Sequence, residues 1–216
     1  MPLSRTAFLL AQLVLIQKRW WLAQALLLVL VGLALPGMVE IGLATRSLGI
    51  AASLFVVLVI PEFARNSNAG ALEIEGTTHY TLRHIYAARL MLFGGVDLVI
   101  LTSFCGVLTF TLKLSLVMLV TQFLLPLVVT AALCFGVLSR PRTAQGTGAM
   151  AICTCLFWSG LWWLIAASDR LYTHITTPLW LALFAASLLA LAIFARRYLK
   201  HATEQWEVNP HATLYE

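Results

Sequence analysis

Residues 61–89, PEFARNSNAGALEIEGTTHYTLRHIYAAR, form the one long polar stretch between hydrophobic segments of this 216-residue chain. Glu62, Arg65, Glu73, Glu75, Arg83 and Arg89 all fall within it. On either side the sequence is dominated by long apolar runs. Only 11% of the chain is charged, against 61% hydrophobic, whereas an ordinary globular domain carries about 25% charged residues. So small a polar supply cannot cover a surface that faces water. The expected fold class is all-α: a polytopic membrane protein forming one transmembrane domain over residues 1–216. A barrel is the weaker choice, because its strands would alternate polar and apolar over about ten residues.

Outward from the polar stretch, the apolar runs divide into six expected spans. Two precede it, at about 20–37 and 43–60. The first closes near Pro36 and Gly37, and the second is closed by Pro61. A short hairpin with Glu40 and Arg46 joins them. Four follow, at about 90–111, 115–138, 149–167 and 178–195. Lys113 sits in the tight turn between the third and fourth. SRPRTAQGTG, residues 139–148, connects the fourth and fifth. A loop with Asp169 and Arg170 connects the fifth and sixth. Residues 196–216 form a polar C-terminal tail. Residues 3–18 are expected to lie as an amphipathic interfacial helix, with Trp20 and Trp21 marking the headgroup level. A cleaved signal or an extension of the first span are the other readings of Arg5 and its apolar run.

Six crossings place both ends of the chain on one side. That side then holds Arg5, Lys18, Arg19, Arg65, Arg83, Arg89, Arg140, Arg142, Arg196, Arg197 and Lys200. The opposite turns hold Arg46, Lys113 and Arg170. Eleven basic residues against three orient the N- and C-termini toward the cytoplasm. The formal net charge of +5 is thus expected to report topology and lipid headgroups, with no nucleic-acid partner. Cys105, Cys134, Cys153 and Cys155 all lie in apolar runs and read as packing residues, not as a disulfide framework.

Within the polar stretch, GALEIE at 70–75 has helix formers for one or two turns, and Gly76 breaks them. Thr77 and Thr78 favour a turn, and Thr81 is placed to cap a new helix. From Leu82, the apolar Leu82, Ile85 and Tyr86 share a face, with Arg83 and Arg89 elsewhere. That helix is expected to run on into the third span. Residues 61–89 would then form an elbow tied to two spans, able to pass a push on its short helix to the third. An ordinary solvated loop with an interfacial helix is the plainer reading.

The stretch resembles the coupling region of ABC-2 type permeases, the membrane subunits of ABC exporters. The resemblance rests on Gly70, Leu72, Glu73 and Ile74, then Thr78, Thr81 in the place of a capping serine, Arg83, Ile85, and Arg89 in the place of a lysine. Ala71 and His79 stand where the family pattern has threonine and proline, and Glu75 and Gly76 where it has apolar residues. In that family the segment joins spans 2 and 3 on the cytoplasmic side of six spans, and an amphipathic helix precedes the first. The resemblance implies a permease subunit in a bacterial plasma membrane. Its partners would be a separate ABC ATPase subunit, a second permease copy and the lipid bilayer. It implies Leu72, Glu73, Ile74, Thr78 and Thr81 as the ATPase contact, with Arg83 and Arg89 orienting the elbow against headgroups. No cofactor is expected in this chain, since no glycine is followed by lysine as a phosphate loop requires. ATP and magnesium would belong to the partner, and no catalytic or metal residue is expected. A non-transporting sensor, immunity or assembly protein, with its elbow on another cytoplasmic partner, is the alternative.

Three further features invite a role. Asp97 is an acidic residue well inside a span, where charge is costly. It either lines a pathway or a dimer interface, or is a protonated or hydrogen-bonded packing residue. Gly94 and Gly95 would permit close helix approach beside it. Phe157, Trp158, Trp162 and Trp163 could form a substrate wall, although an aromatic belt explains Trp162 and Trp163. Ser159 with His174 is a poor match to an intramembrane hydrolase, since His174 falls in a loop.

Overall fold

Alanine, leucine and valine dominate the apolar runs, and helix is the form of a single segment that satisfies every backbone donor and acceptor without water. The computed structural model describes residues 18–37, 41–61, 82–139, 144–168 and 176–208. Six helices make up the described chain: α1 Arg19–Ala34, α2 Ile41–Val57, α3 Leu82–Leu112, α4 Leu116–Leu138, α5 Ala144–Ala167 and α6 Thr177–Val208. A 3-10 turn, Leu35–Gly37, ends α1 at its proline. Among the described residues there is no strand.

Five of these helices are long and apolar enough to cross a membrane, at Arg19–Gly37, Ala87–Leu112, Leu116–Leu138, Gly148–Ala167 and Thr177–Lys200. α2 is shorter, at 17 residues. The outward surface demands hydrocarbon: Leu22, Leu33, Met91, Leu98 and Phe110 are each at least 67% exposed. Isolated apolar residues on a surface are ordinary, but whole leucine-rich faces are not. The chain is therefore a multi-pass helical membrane protein.

Neighbour relations close the helices into a ring in the order α1, α3, α6, α4, α5, α2 and back to α1, with α2 and α4 also touching across it. α4 is the centre. Half of its spanning window is buried, against 11% for α3 and for α6. Leu48, Ala52 and Phe55 of α2 meet Leu119 and Phe123 of α4 and Phe104 and Leu108 of α3 in the main core. A second cluster joins Ile60 to Cys134 and Val137 of α4 and Ala151 and Cys155 of α5.

α4 is not a regular helix. Its N-cap Ser115 accepts a hydrogen bond from the Met118 amide at 3.3 Å. Residues Val120–Leu124 then form a π turn, in which the Leu125 amide bonds the Val120 carbonyl. The cause is Pro126, which lacks an amide hydrogen and presses its ring on the preceding turn. One wide turn just before it absorbs that clash. Ahead of α4, Lys113 takes φ of 53°, a left-handed conformation that lets Lys113–Ser115 reverse the chain in three residues.

Several expectations shift at the ends. α2 begins at Ile41, so Arg46 sits more than a turn inside a helix and is not a hairpin residue. α3 runs unbroken from Leu82 for 31 residues, so the backbone of residues 82–89 is helical and continuous with the third apolar run. α6 continues to Val208, carrying Arg196, Arg197 and Lys200 on a helix where the sequence suggested only a polar tail. The interfacial segment up to residue 17, the greater part of the elbow at 62–81 and the last residues from 209 lie outside the described residues.

Candidate functional site

Leu72, Glu73, Ile74, Thr78 and Thr81, the expected ATPase contact, lie outside the described residues. Arg83 falls in the helical backbone of α3, with its side chain outside the described set. Arg89, one and a half turns further on, is half-buried against the bundle. Asp97 is the expected site residue whose surroundings are fully on view, and two polar seams organise the interior around it.

The first seam joins α1, α2 and α3. Gln24 is completely buried. Its side-chain amide donates to the Phe55 carbonyl of α2 at 3.4 Å and lies beside the Asp97 carboxyl of α3. The carbonyl of Phe55 can only accept, so it fixes which way the Gln24 amide points. One turn earlier on α1, Trp21 packs against Phe93 with ring centroids 5.5 Å apart. Phe93 lies one turn before Asp97 on α3. Positions i and i+3 of α1 thus face positions i and i+4 of α3. Among the described residues, three buried atoms in this seam have no hydrogen-bond partner: Trp21 Nε1, Gln24 Oε1 and Asp97 Oδ1.

The second seam joins α2, α4 and α5, and there the hydroxyl groups all find partners. Ser53 and Thr130 meet at 3.1 Å across α2 and α4. Each also reaches a carbonyl of its own helix, Gly49 O at 3.0 Å and Pro126 O at 2.6 Å. Cys155 lies against the Thr130 carbonyl. Ser159 donates to Cys155 O at 2.9 Å, a bond within its own helix that gives the hydroxyl no base to serve. Its suggested partner His174 lies outside the described residues.

At the opposite end of the bundle α2 and α5 are locked together. The Arg46 guanidinium donates to the Ala166 carbonyl at 3.2 Å. This places a cation at the C-terminal end of α5, where the helix carries partial negative charge. In return Trp162 Nε1 donates to the Arg46 carbonyl at 3.3 Å. The Trp162 indole lies directly on Gly49, in the space a Cβ there would occupy.

This lock revises the aromatic reading. Trp162 is 2% exposed and packs with Trp180, Leu125, Trp158 and Phe184. It is a core residue, not a belt anchor. Phe157 and Trp163 point outward, so the four aromatics make no common wall. Gly94 and Gly95 also differ from expectation: among the described residues nothing lies within 4 Å of where their Cβ atoms would stand. Gly95 borders a shallow apolar groove of about 360 Å³, lined also by Met91, Leu92, Val96, Val99 and Ile100.

The sequence analysis does not single out Gln24 or Gly49, and it places Arg46 in a hairpin and Trp162 in an aromatic belt or substrate wall, not in the α2–α5 lock. Gln24 had a usable signal, as a lone amide in an apolar run. Gly49 had none, since its role depends on an indole more than a hundred residues away. No protein-family model matches the chain, and no curated protein or solved structure is similar to it.

Proposed function

We propose that the chain is the membrane-spanning permease subunit of an ATP-driven exporter. It has no catalytic residue of its own. A separate ABC ATPase subunit docks on the elbow through Leu72, Glu73, Ile74, Thr78 and Thr81, and binds the ATP and magnesium. Two copies of the six-helix unit, or one copy with a similar permease, form the pathway, with Asp97 facing it or the second copy when the helices rearrange.

The observation that carries this reading is α3. It is a single helix of 31 residues whose first residue follows the expected coupling segment directly. At about 1.5 Å per residue it is a rod of about 46 Å. A displacement of its cytoplasmic end therefore moves its whole length, including Asp97. A flexible linker at residue 82 would instead absorb the motion.

Six crossings are supported by the α1–α2 hairpin. Gln24 near the start of α1 bonds Phe55 near the end of α2, so α2 returns through the layer that α1 has crossed. Its 17 residues lie at the short limit for a span, and a turn through Leu58 and Val59 extends it to Pro61. The bundle end formed by the starts of α1 and α3 and the end of α6 carries Lys18, Arg19, Arg83, Arg89, Arg196, Arg197 and Lys200. The other end carries Arg46 and Lys113. The positive-inside rule supports a cytoplasmic first end, and the family resemblance suggests a bacterial plasma membrane.

Co-expression with the genes that neighbour its own provides the test. A tagged permease solubilised in mild detergent should bring one ATPase with it, in a stoichiometric peak. Recovery of the intact, folded permease with none of the co-expressed ATPases would overturn the proposal.

A further inference from the structure

Arg89 stands three positions before Leu92 and seven before Val96, which puts the three on one side of α3. That side carries the shallow groove lined by Met91, Leu92, Gly95, Val96, Val99 and Ile100. All six residues are apolar, and Gly95, with no side chain, leaves a dent among them. From Met91 to Ile100 the helix rises about 14 Å, close to the roughly 15 Å that makes half of a bilayer's hydrocarbon core. The groove thus begins beside a cation and ends near the middle of the membrane.

A second cation stands at the same level. Trp21 of α1 packs on Phe93 of α3, with ring centroids 5.5 Å apart. Lys18 lies one turn before Trp21, and Arg89 one turn before Phe93. The two helices run in the same direction, so Lys18 and Arg89 share a depth. Lys18 and its neighbour Arg19 are exposed there. Among the residues whose side chains are described, Asp97 is the one acidic group, and it lies two turns deeper than Arg89.

We propose that the α3 groove, with Arg89 and Lys18 at its head, binds one anionic phospholipid. An acyl chain lies along Gly95, and the two cations hold the phosphate. Long basic side chains near a helix end reach up to the headgroups, and basic recesses between helices are where anionic headgroups bind. The guanidinium of Arg89 offers a fork that matches a phosphate, and Lys18 adds a point charge. A free phosphate would leave the groove unused. A second copy of the chain fits this face poorly. Two copies related by an axis along the membrane normal set each residue opposite itself, so pairing here would bring Arg89 toward Arg89, and like charges across an interface are costly. This inference is independent of what, if anything, the chain transports.

The test is native mass spectrometry of the full chain, exchanged in detergent against equimolar phosphatidylglycerol and phosphatidylcholine with matched acyl chains. The unsubstituted protein should retain one phosphatidylglycerol in preference to phosphatidylcholine. Lys18→Gln/Arg89→Gln should lower that preference about tenfold, the worth of a charge-assisted hydrogen bond. Gly95→Leu keeps every cation but fills the dent. It should lose the bound lipid as well, with an unfolding midpoint close to the parent's, because among the described residues nothing lies within 4 Å of that Cβ position. Inorganic phosphate in excess should not displace the lipid. Equal retention of the two lipids by the unsubstituted protein, where folding is not in question, would mean ordinary surrounding lipid and overturn the proposal. So would a preference that survives in folded Gly95→Leu, displacement by inorganic phosphate, or a dimer that forms in place of the lipid and is lost with Gly95→Leu.

Discussion

Replacing Gly49 with alanine is expected to destabilise the membrane domain by about 1–3 kcal/mol, the usual cost of forcing a methyl group into a filled core. The new Cβ would fall on the Trp162 indole. Trp162 has little room to yield. It is 2% exposed, packed on Trp180 and Trp158, and held by its bond to the Arg46 carbonyl at 3.3 Å. Displacing it also disturbs the Arg46 contact with the end of α5. Intrinsic helix propensity works the other way, since alanine is favoured over glycine within a helix by about 1 kcal/mol. Gly95→Ala isolates that opposing effect, because nothing lies within 4 Å of its Cβ position. Thermal unfolding in nanodiscs should place Gly95→Ala at or slightly above the parent and Gly49→Ala well below it. Combining Gly49→Ala with Trp162→Phe should recover part of the loss, as contacting residues are not additive. Equal midpoints for Gly49→Ala and Gly95→Ala would remove the α2–α5 lock from the account.

The largest functional effect is expected at the elbow. Glu73→Lys combined with Ile74→Asp should abolish stimulation of the partner ATPase while membrane insertion and the unfolding midpoint stay unchanged. The pair reverses one charge and puts another on the apolar side of the proposed contact. Leaving a buried charge unpaired in an interface costs about 2–5 kcal/mol, which weakens docking about 30-fold or more. The substitutions fall in the polar stretch between apolar runs, and the unchanged midpoint separates a lost contact from a lost fold. Full stimulation in a correctly inserted double variant would mean that these residues are not the contact.

The membrane class was legible because it needs only hydrophobicity, which is local. Long apolar runs with few charges leave helices in lipid as the consistent outcome. The polar residues inside the spans were harder to read. Asp97 stood out as a carboxylate in an apolar run, but its partner Gln24 is more than seventy residues away, and only the meeting of α1 and α3 joins them. Trp162 read as an interfacial anchor because it lies near a span end. What decides its place is the missing side chain at Gly49. The π turn of α4 had a visible cause in Pro126, yet proline permits a kink, a break or a widened turn, and packing chooses among them. Helix ends were blurred where charge did not stop a helix: Arg46 is drawn into α2 by the carbonyl end of α5, and α6 carries Arg196 and Arg197 onward because a helix leaving the membrane can continue in water.

The proposed function requires the polar stretch to lie on the cytoplasmic face of the membrane, and a cysteine introduced at Glu73 reports that directly. In a background without Cys105, Cys134, Cys153 and Cys155, Glu73→Cys is exposed to a membrane-impermeant maleimide in intact cells and in inverted vesicles. Modification in inverted vesicles alone is the predicted result. Modification in intact cells at the same rate would put the elbow outside, beyond the reach of any cytoplasmic ATPase, and contradict the proposed function.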